Sequence, residues 1–342
     1  MKNQKVSLIQ KISTQVASPQ TWMFIILILG VLVFFTLFTP NHSYLKIENL
    51  NNILTDSVIP AIFAFGMGII IAGGGFDLSL GHIASMVASI IAYLMSGGVL
   101  FDPVSAVFVG LVVAAVVGLG NGLLVSRMGI SSFIVTLGMQ FLIIGVRQII
   151  TGGQSVYISN EPFKALADNQ LGLSNLVLIL VGVSALIYLL MEKSTFGRKV
   201  QFTGANIEAS KFMGIHIKNF TMYTFILGAV LAGFGGALFA ARAGAVQINS
   251  VDSKLLDAIT IAVFASVIFG RFRTGGIVLV AILISMIGTG MSMMGIKTEW
   301  IEVVKGFILL SSIFLARIMN SKTAMININV FLKSKGVLEN GR

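Results

Sequence analysis

Apolar residues in this chain run in long stretches separated by short polar or Gly- and Pro-bearing breaks. Ten such runs lie near 22–38, 58–73, 79–96, 103–125, 132–150, 172–191, 220–241, 256–270, 275–294 and 300–317. The stretches Trp22 to Phe38, Val104 to Ser126 and Val177 to Met191 hold no charged side chain. Each approaches the run of roughly 20 apolar residues that crosses a hydrocarbon core as a helix. The pattern predicts an all-α, polytopic integral membrane protein with about ten transmembrane helices. The second, third and eighth runs are short and carry Gly, Pro or a nearby Asp, as expected of broken or re-entrant segments held inside a bundle. The first run follows Lys2, Lys5 and Lys11 and ends at Phe38-Thr39-Pro40-Asn41 without a small-residue cleavage pattern. It reads as a retained anchor rather than a signal peptide.

An even number of spans puts both termini on one side, and the basic residues say which. With the N-terminus inside, 16 of the 23 Lys and Arg fall in cytoplasmic loops and tails, an asymmetry that sets cytoplasmic orientation. The single transmembrane domain, 1–342, then divides into a cytoplasmic N-terminal tail at 1–20, a cytoplasmic polar loop at 192–219, an outer loop at about 151–171 and a basic cytoplasmic C-terminal tail at 319–342.

Composition agrees: 56% of residues are hydrophobic and 11% charged, more apolar surface than a water-soluble globule of 342 residues could hide. The net charge of +10 is spread over loops and ends, so it marks topology and contact with membrane lipid rather than a nucleic-acid surface. Cysteine is absent, which removes disulfides and thiolate chemistry, and His42, His82 and His216 are too scattered to form a metal site. No Gly is followed by Lys, so the chain has no phosphate-cradling P-loop.

Small residues recur at helix-packing spacing, as in Gly118 with Gly122 and Ala232 with Gly236. Asn121, between two of these glycines, needs an internal partner or a wet cavity, and is a pathway candidate together with Thr136, Gln140 and Arg147. Arg147 beside Gln148, near the outer end of its run, has the alternative of snorkelling to the interface. The stretch Gly73-Gly74-Gly75-Phe76-Asp77-Leu78-Ser79-Leu80-Gly81-His82 interrupts apolar sequence on both sides. Its irregular backbone must be buried in protein or line water, and Asp77 or Ser79 is placed to cap the amides of the next helix or to act in gating.

Here the chain resembles the permeases of ATP-binding-cassette importers for monosaccharides, the group that includes ribose, xylose, arabinose and galactose permeases. Gly74 to Gly81 is similar to that family's Gly-Gly-Ile-Asp-Leu-Ser-Val-Gly signature, with Phe76 and Leu80 as departures. The likeness continues through Phe133 to Gly138, Gly145-Val146-Arg147, Thr151-Gly152-Gly153, Thr195 to Arg198, Gly204-Ala205-Asn206, Ala209, Met213-Gly214-Ile215 and Leu255 to Ile259, ending near Val304-Lys305-Gly306. One departure stands out: where the family has a Gly-Gly-Thr turn followed by a Gly-rich loop, this chain reads Ala265-Ser266-Val267-Ile268-Phe269-Gly270-Arg271-Phe272-Arg273-Thr274-Gly275-Gly276.

The resemblance implies a permease subunit in the cytoplasmic membrane of a bacterium, translocating a small neutral solute such as a pentose or hexose by alternating access. It implies a separate ATPase subunit that binds ATP and Mg, an extracytoplasmic solute-binding protein, and a second permease chain in a homodimer or heterodimer; no cofactor is expected in this chain. It makes 192–219 a coupling segment to the ATPase, carried by Gly197, Arg198, Gly204, Asn206, Ala209 and Gly214, and makes Gly74, Asp77, Ser79 and Gly81 the signature or gating residues. Nucleosides and furanone-type signals remain open as substrates. An ion-driven secondary transporter would carry more carboxylates or His within its spans, and an intramembrane enzyme would show a HExxH, a GxSxG or a local Ser/His pairing, none of which occurs.

Overall fold

A computed structural model describes residues 19–96, 102–158, 160–170, 173–247 and 250–314. Within the described residues each of the ten apolar runs is largely helical. These are α1 (Pro19–Phe38), α2 (Ile47–Ala72), α3 (Leu80–Met95), α4 (Pro103–Ser126) and α5 (Ser132–Thr151), then α7 (Asn175–Tyr188), α10 (Ile217–Ala243), α11 (Lys254–Phe269), α12 (Thr274–Met293) and α13, described over 298–314. Six helices are long and apolar enough to cross a membrane, with α7 counted through its one-turn π extension Leu189–Lys193. Short helices α6 (Glu161–Lys164), α8 (Thr195–Ala205) and α9 (Ile207–Phe212) fill the two polar segments.

Two boundaries differ from the sequence reading. α2 begins at Ile47 rather than near 58, because Glu48, Asn49 and Asn51 are helical despite their polarity and Asn49 bonds the Tyr44 carbonyl at 2.7 Å. The polar segment 192–219 is helical rather than a loop, since Ser194 and Asn206 cap α8 and α9 in turn by accepting from Gly197 and Ala209 amides. The predicted tails lie outside the described residues, except for Pro19 and Gln20.

α10 is the spine of the bundle and packs along α4, α3 and α2. Lipid offers no hydrophobic drive to hold such helices together, so close backbone approach has to supply the attraction. A side chain at Gly118 would meet the Phe225 carbonyl at 2.7 Å, and one at Gly122 the Met222 carbonyl at 2.9 Å. At Gly236 any side chain would overlap the backbone of Ala84 on α3. α2 is buried along most of its length, whereas α4, α5 and α7 present Phe108, Ile149 and Leu186 outward. That arrangement, apolar on the outside, suits a protein solvated by hydrocarbon. On the loops, β1 (Val156–Tyr157) pairs antiparallel with β4 (Ala245–Val246), and β2 (Asn169–Gln170) with β3 (Leu173–Ser174).

Candidate functional site

The Gly-rich stretch after α2 becomes the junction on which the polar candidates converge. α2 ends at Gly73, and Gly74 turns the chain with φ +83°, a left-handed conformation in which a side chain would be strained. The chain then runs irregularly to α3. Its free amides are taken by α5: Phe76 N donates to Ser132 Oγ at 3.2 Å and Leu78 N to Thr136 Oγ1 at 3.1 Å. Asp77 is fully buried, its Oδ1 accepting from Ser79 N at 2.7 Å and Ser79 Oγ at 2.6 Å. Asn121 of α4 closes the cluster, its Nδ2 donating to Asp77 Oδ2 at 3.2 Å and lying 3.0 Å from Ser79 Oγ. Asp77, Ser79 and Asn121, singled out separately in the sequence, thus form one buried cluster, and Thr136 of α5 holds the adjoining Leu78 amide.

Asp77 caps in a modified sense, since it satisfies the Ser79 amide just ahead of α3, and Ser79 itself makes no cap bond. Gly81 allows the carbonyl of Asp252 to approach α3, at 2.8 Å from where a side chain would begin. Gln140 is half-buried and takes no part in the network.

Arg147 does not snorkel outward. It is 1% exposed and grips Asp252 with two guanidinium nitrogens, Nη1 to Oδ1 at 2.9 Å and Nη2 to Oδ2 at 3.2 Å. His82 Nδ1 lies 3.1 Å from the same carboxylate and Ser85 Oγ donates to it, so Asp252 ties the loop between α10 and α11 to both α3 and α5. Burial works against the ionised Asp252, but hydrogen bonds from His82, Arg147 and Ser85 outweigh it and hold the carboxyl down to about 2. Sequence reasoning missed Asp252. Its signal was present, because Asp252 is the first acid after Glu208 and an arginine inside an apolar run needs a carboxylate somewhere.

A second missed pair lies on α11 and α13, where Lys305 Nζ sits 2.8 Å from Asp257 and 3.0 Å from Glu302. It lines a cavity of about 500 Å³ with Asp56, Arg242 and Lys254. Among the described residues no group of three or more His, Cys, Asp or Glu is placed to hold a metal ion.

The predicted coupling residues divide by surroundings. Gly197 packs on the backbone of Met191, and Gly204 on the carbonyl of Ala72 and the amide of Gly74, so α8 rests directly on the Gly-rich turn. Arg198 is exposed with Nη1 3.3 Å from the Lys193 carbonyl, and Asn206 Oδ1 accepts from the Ala209 amide at 2.9 Å. Ala209 is exposed, and Gly214 turns the chain at φ +71° in open space. Phe212, a large apolar side chain at the end of α9, is 92% exposed.

The family described as "Branched-chain amino acid transport system / permease component" matches residues 49–313, from α2 to near the end of the described α13. This chain belongs to that family. The permease is 29% identical over 282 residues to the ribose import permease protein RbsC of Bacillus subtilis (strain 168), covering 81% of this chain and 87% of that one. It is 27% identical over 314 residues to the galactose/methyl galactoside import permease protein MglC of Escherichia coli (strain K12), covering 86% and 92%. To the D-allose transport system permease protein AlsC of the same organism it is 28% identical over 301 residues, covering 87% and 91%. No solved structure matches the chain. The permease is therefore a transport component, not an enzyme, and a multi-pass, all-α membrane protein.

Proposed function

We propose that the permease is the membrane subunit of an ATP-driven importer that carries a small neutral sugar inward by alternating access. The observation that carries this reading is the similarity to permeases named for ribose import, galactose import and allose transport, each alignment covering more than four fifths of this chain. The polar groups of the Asp77 junction are amides, hydroxyls and one buried, bonded carboxylate, chemistry that suits a neutral polyol better than an ion.

In this reading the ATPase subunit binds ATP and Mg and docks on α8 and α9, where Phe202, Ile207 and Phe212 are exposed. Movement of α8 passes through Gly204 to the turn at Gly74, and from there to Asp77, Ser79, Asn121 and Thr136, which join three spanning helices. Asp252 and Arg147 hold the loop between α10 and α11 against α3 and α5. Both termini lie in the cytoplasm, an extracytoplasmic binding protein delivers the sugar, and a second permease chain completes the pathway.

The test is uptake into proteoliposomes that hold this chain with its ATPase and binding protein, comparing ATP inside with an imposed proton or sodium gradient. ATP-dependent uptake of ribose, galactose or allose is expected. Uptake driven by the ion gradient without the ATPase sinks the proposal.

A further inference from the structure

A cavity of about 880 Å³ opens between the end of α7, α8, the inner end of α2 and the turn joining α11 to α12. Its walls are of two kinds. Ile71, Ala72, Met191, Ala265 and Phe272 form an apolar floor between the helices. Lys193, Arg198, Arg271 and Arg273 form a cationic rim. Glu192 is the single acid there, and its Oε1 is already engaged by the Thr274 amide at 2.8 Å, where it caps α12.

The turn that supplies Arg271 and Arg273 lies outside the 192–219 coupling segment and is the stretch in which this chain departs from the resembled pattern, so these two charges are not accounted for by coupling to the ATPase. Lys193, Arg198 and Arg271 around one carboxylate already leave a positive potential at the mouth of an apolar slot. A neutral sugar finds neither feature useful. The chain's tails are net basic in sequence, with Lys2, Lys5 and Lys11 at one end and Lys322, Lys333, Lys335 and Arg342 against the single acid Glu339 at the other.

We propose that this cavity is a binding site for an anionic phospholipid, its phosphate held by Arg271, Arg273, Arg198 and Lys193 and its upper acyl segment lying on the apolar floor. The inner leaflet is the source, a placement that rests on the orientation proposed above. Arginine forks suit a phosphate diester, and clustered cations beside spanning helices are the usual form of a headgroup site. Because α8 forms one wall and also rests on the Gly74 turn, an occupied site stiffens the coupling segment against the α11–α12 turn.

Native mass spectrometry of the full-length permease in detergent tests this, with phosphatidylglycerol, phosphatidylcholine and inorganic phosphate as separate probes. Phosphatidylglycerol is expected to be retained in preference to phosphatidylcholine and not to be displaced by millimolar phosphate. The Arg271→Gln/Arg273→Gln variant should weaken retention on the order of twentyfold, about fivefold for each cation removed. Should that variant fail to fold, Lys193→Gln/Arg271→Gln removes two exposed charges and should show a loss of similar size. Equal retention of the two lipids, displacement by phosphate, or unchanged retention in folded variants overturns the proposal. Charge loss that leaves lipid retention intact but abolishes ATPase binding assigns the rim to a protein partner and overturns it as well. Lipid retention is read on the isolated chain, so it stands or falls separately from the uptake assay.

Discussion

Replacing Arg147 with Met strands the Asp252 carboxylate in a site where its side chain is only 14% exposed. The guanidinium contributes two charge-assisted contacts, at 2.9 and 3.2 Å, and breaking a buried pair from one side costs about 3–5 kcal/mol. Asp252 keeps His82 at 3.1 Å and the Ser85 hydroxyl, which places the loss at the lower end, roughly 3 kcal/mol. At about 2 °C per kcal/mol for a chain of this size, the midpoint of thermal unfolding should fall by roughly 6 °C. Removing both charges, in Arg147→Met/Asp252→Leu, should recover part of that loss, because no bare charge is then left in the low-dielectric site. The assay is intrinsic-fluorescence melting of the purified chain at fixed detergent and lipid. A midpoint shift under about 1 °C for Arg147→Met, or a double variant no more stable than the sum of the singles, would refute the claim that this pair locks the loop between α10 and α11 to α3 and α5.

Asp252 also sets an acid limit. Its folded pKa of about 2 lies below the ordinary 3.8, so its contribution is fully present above pH 3.8 and lost as pH falls toward 2. Melting midpoints measured over that window should fall more steeply in the native chain than in Asp252→Asn. Asn121→Leu leaves Asp77 Oδ2 without its amide donor and should cost about 1–3 kcal/mol, read as a lowered melting midpoint, with sugar uptake lost more than insertion. Gly204→Val drives a side chain into the Ala72 carbonyl. It should cut uptake by about tenfold, within the ~0.5–2 kcal/mol range of coupling residues, while ATP hydrolysis by the assembled complex persists. Gly236→Val overlaps the Ala84 backbone and should prevent recovery of folded protein on size-exclusion chromatography, since neither helix can move aside without separating α3 from α10.

The gap between what could be read early and what could not follows from the kind of interaction involved. The apolar runs specified the ten helices because the cost of exposing backbone and charge in hydrocarbon acts locally, residue by residue. Glycine spacing on α4 and α10 likewise announced close packing, and Gly118 and Gly122 do lie on Phe225 and Met222. Asp77 and Asn121 each stood out as a polar group that could not be left alone in such surroundings. Their partnership was invisible, because 44 residues separate them and nothing local says which polar group turns toward which.

Arg147 shows the limit most plainly. On α5 alone, snorkelling outward and burial inward were both open, and the choice belongs to Asp252, 105 residues away on a loop that only the packing of α10 and α11 delivers. The polar segment at 192–219 could be recognised as a surface element, but its seat on Gly74 required the Gly-rich turn to be folded first. Sequence alone determined which residues must find partners, since burying a polar or charged group is costly wherever it occurs. Tertiary structure decided the pairings, because hydrogen bonds and ion pairs depend on ångström-scale distances that the order of residues along the chain does not encode.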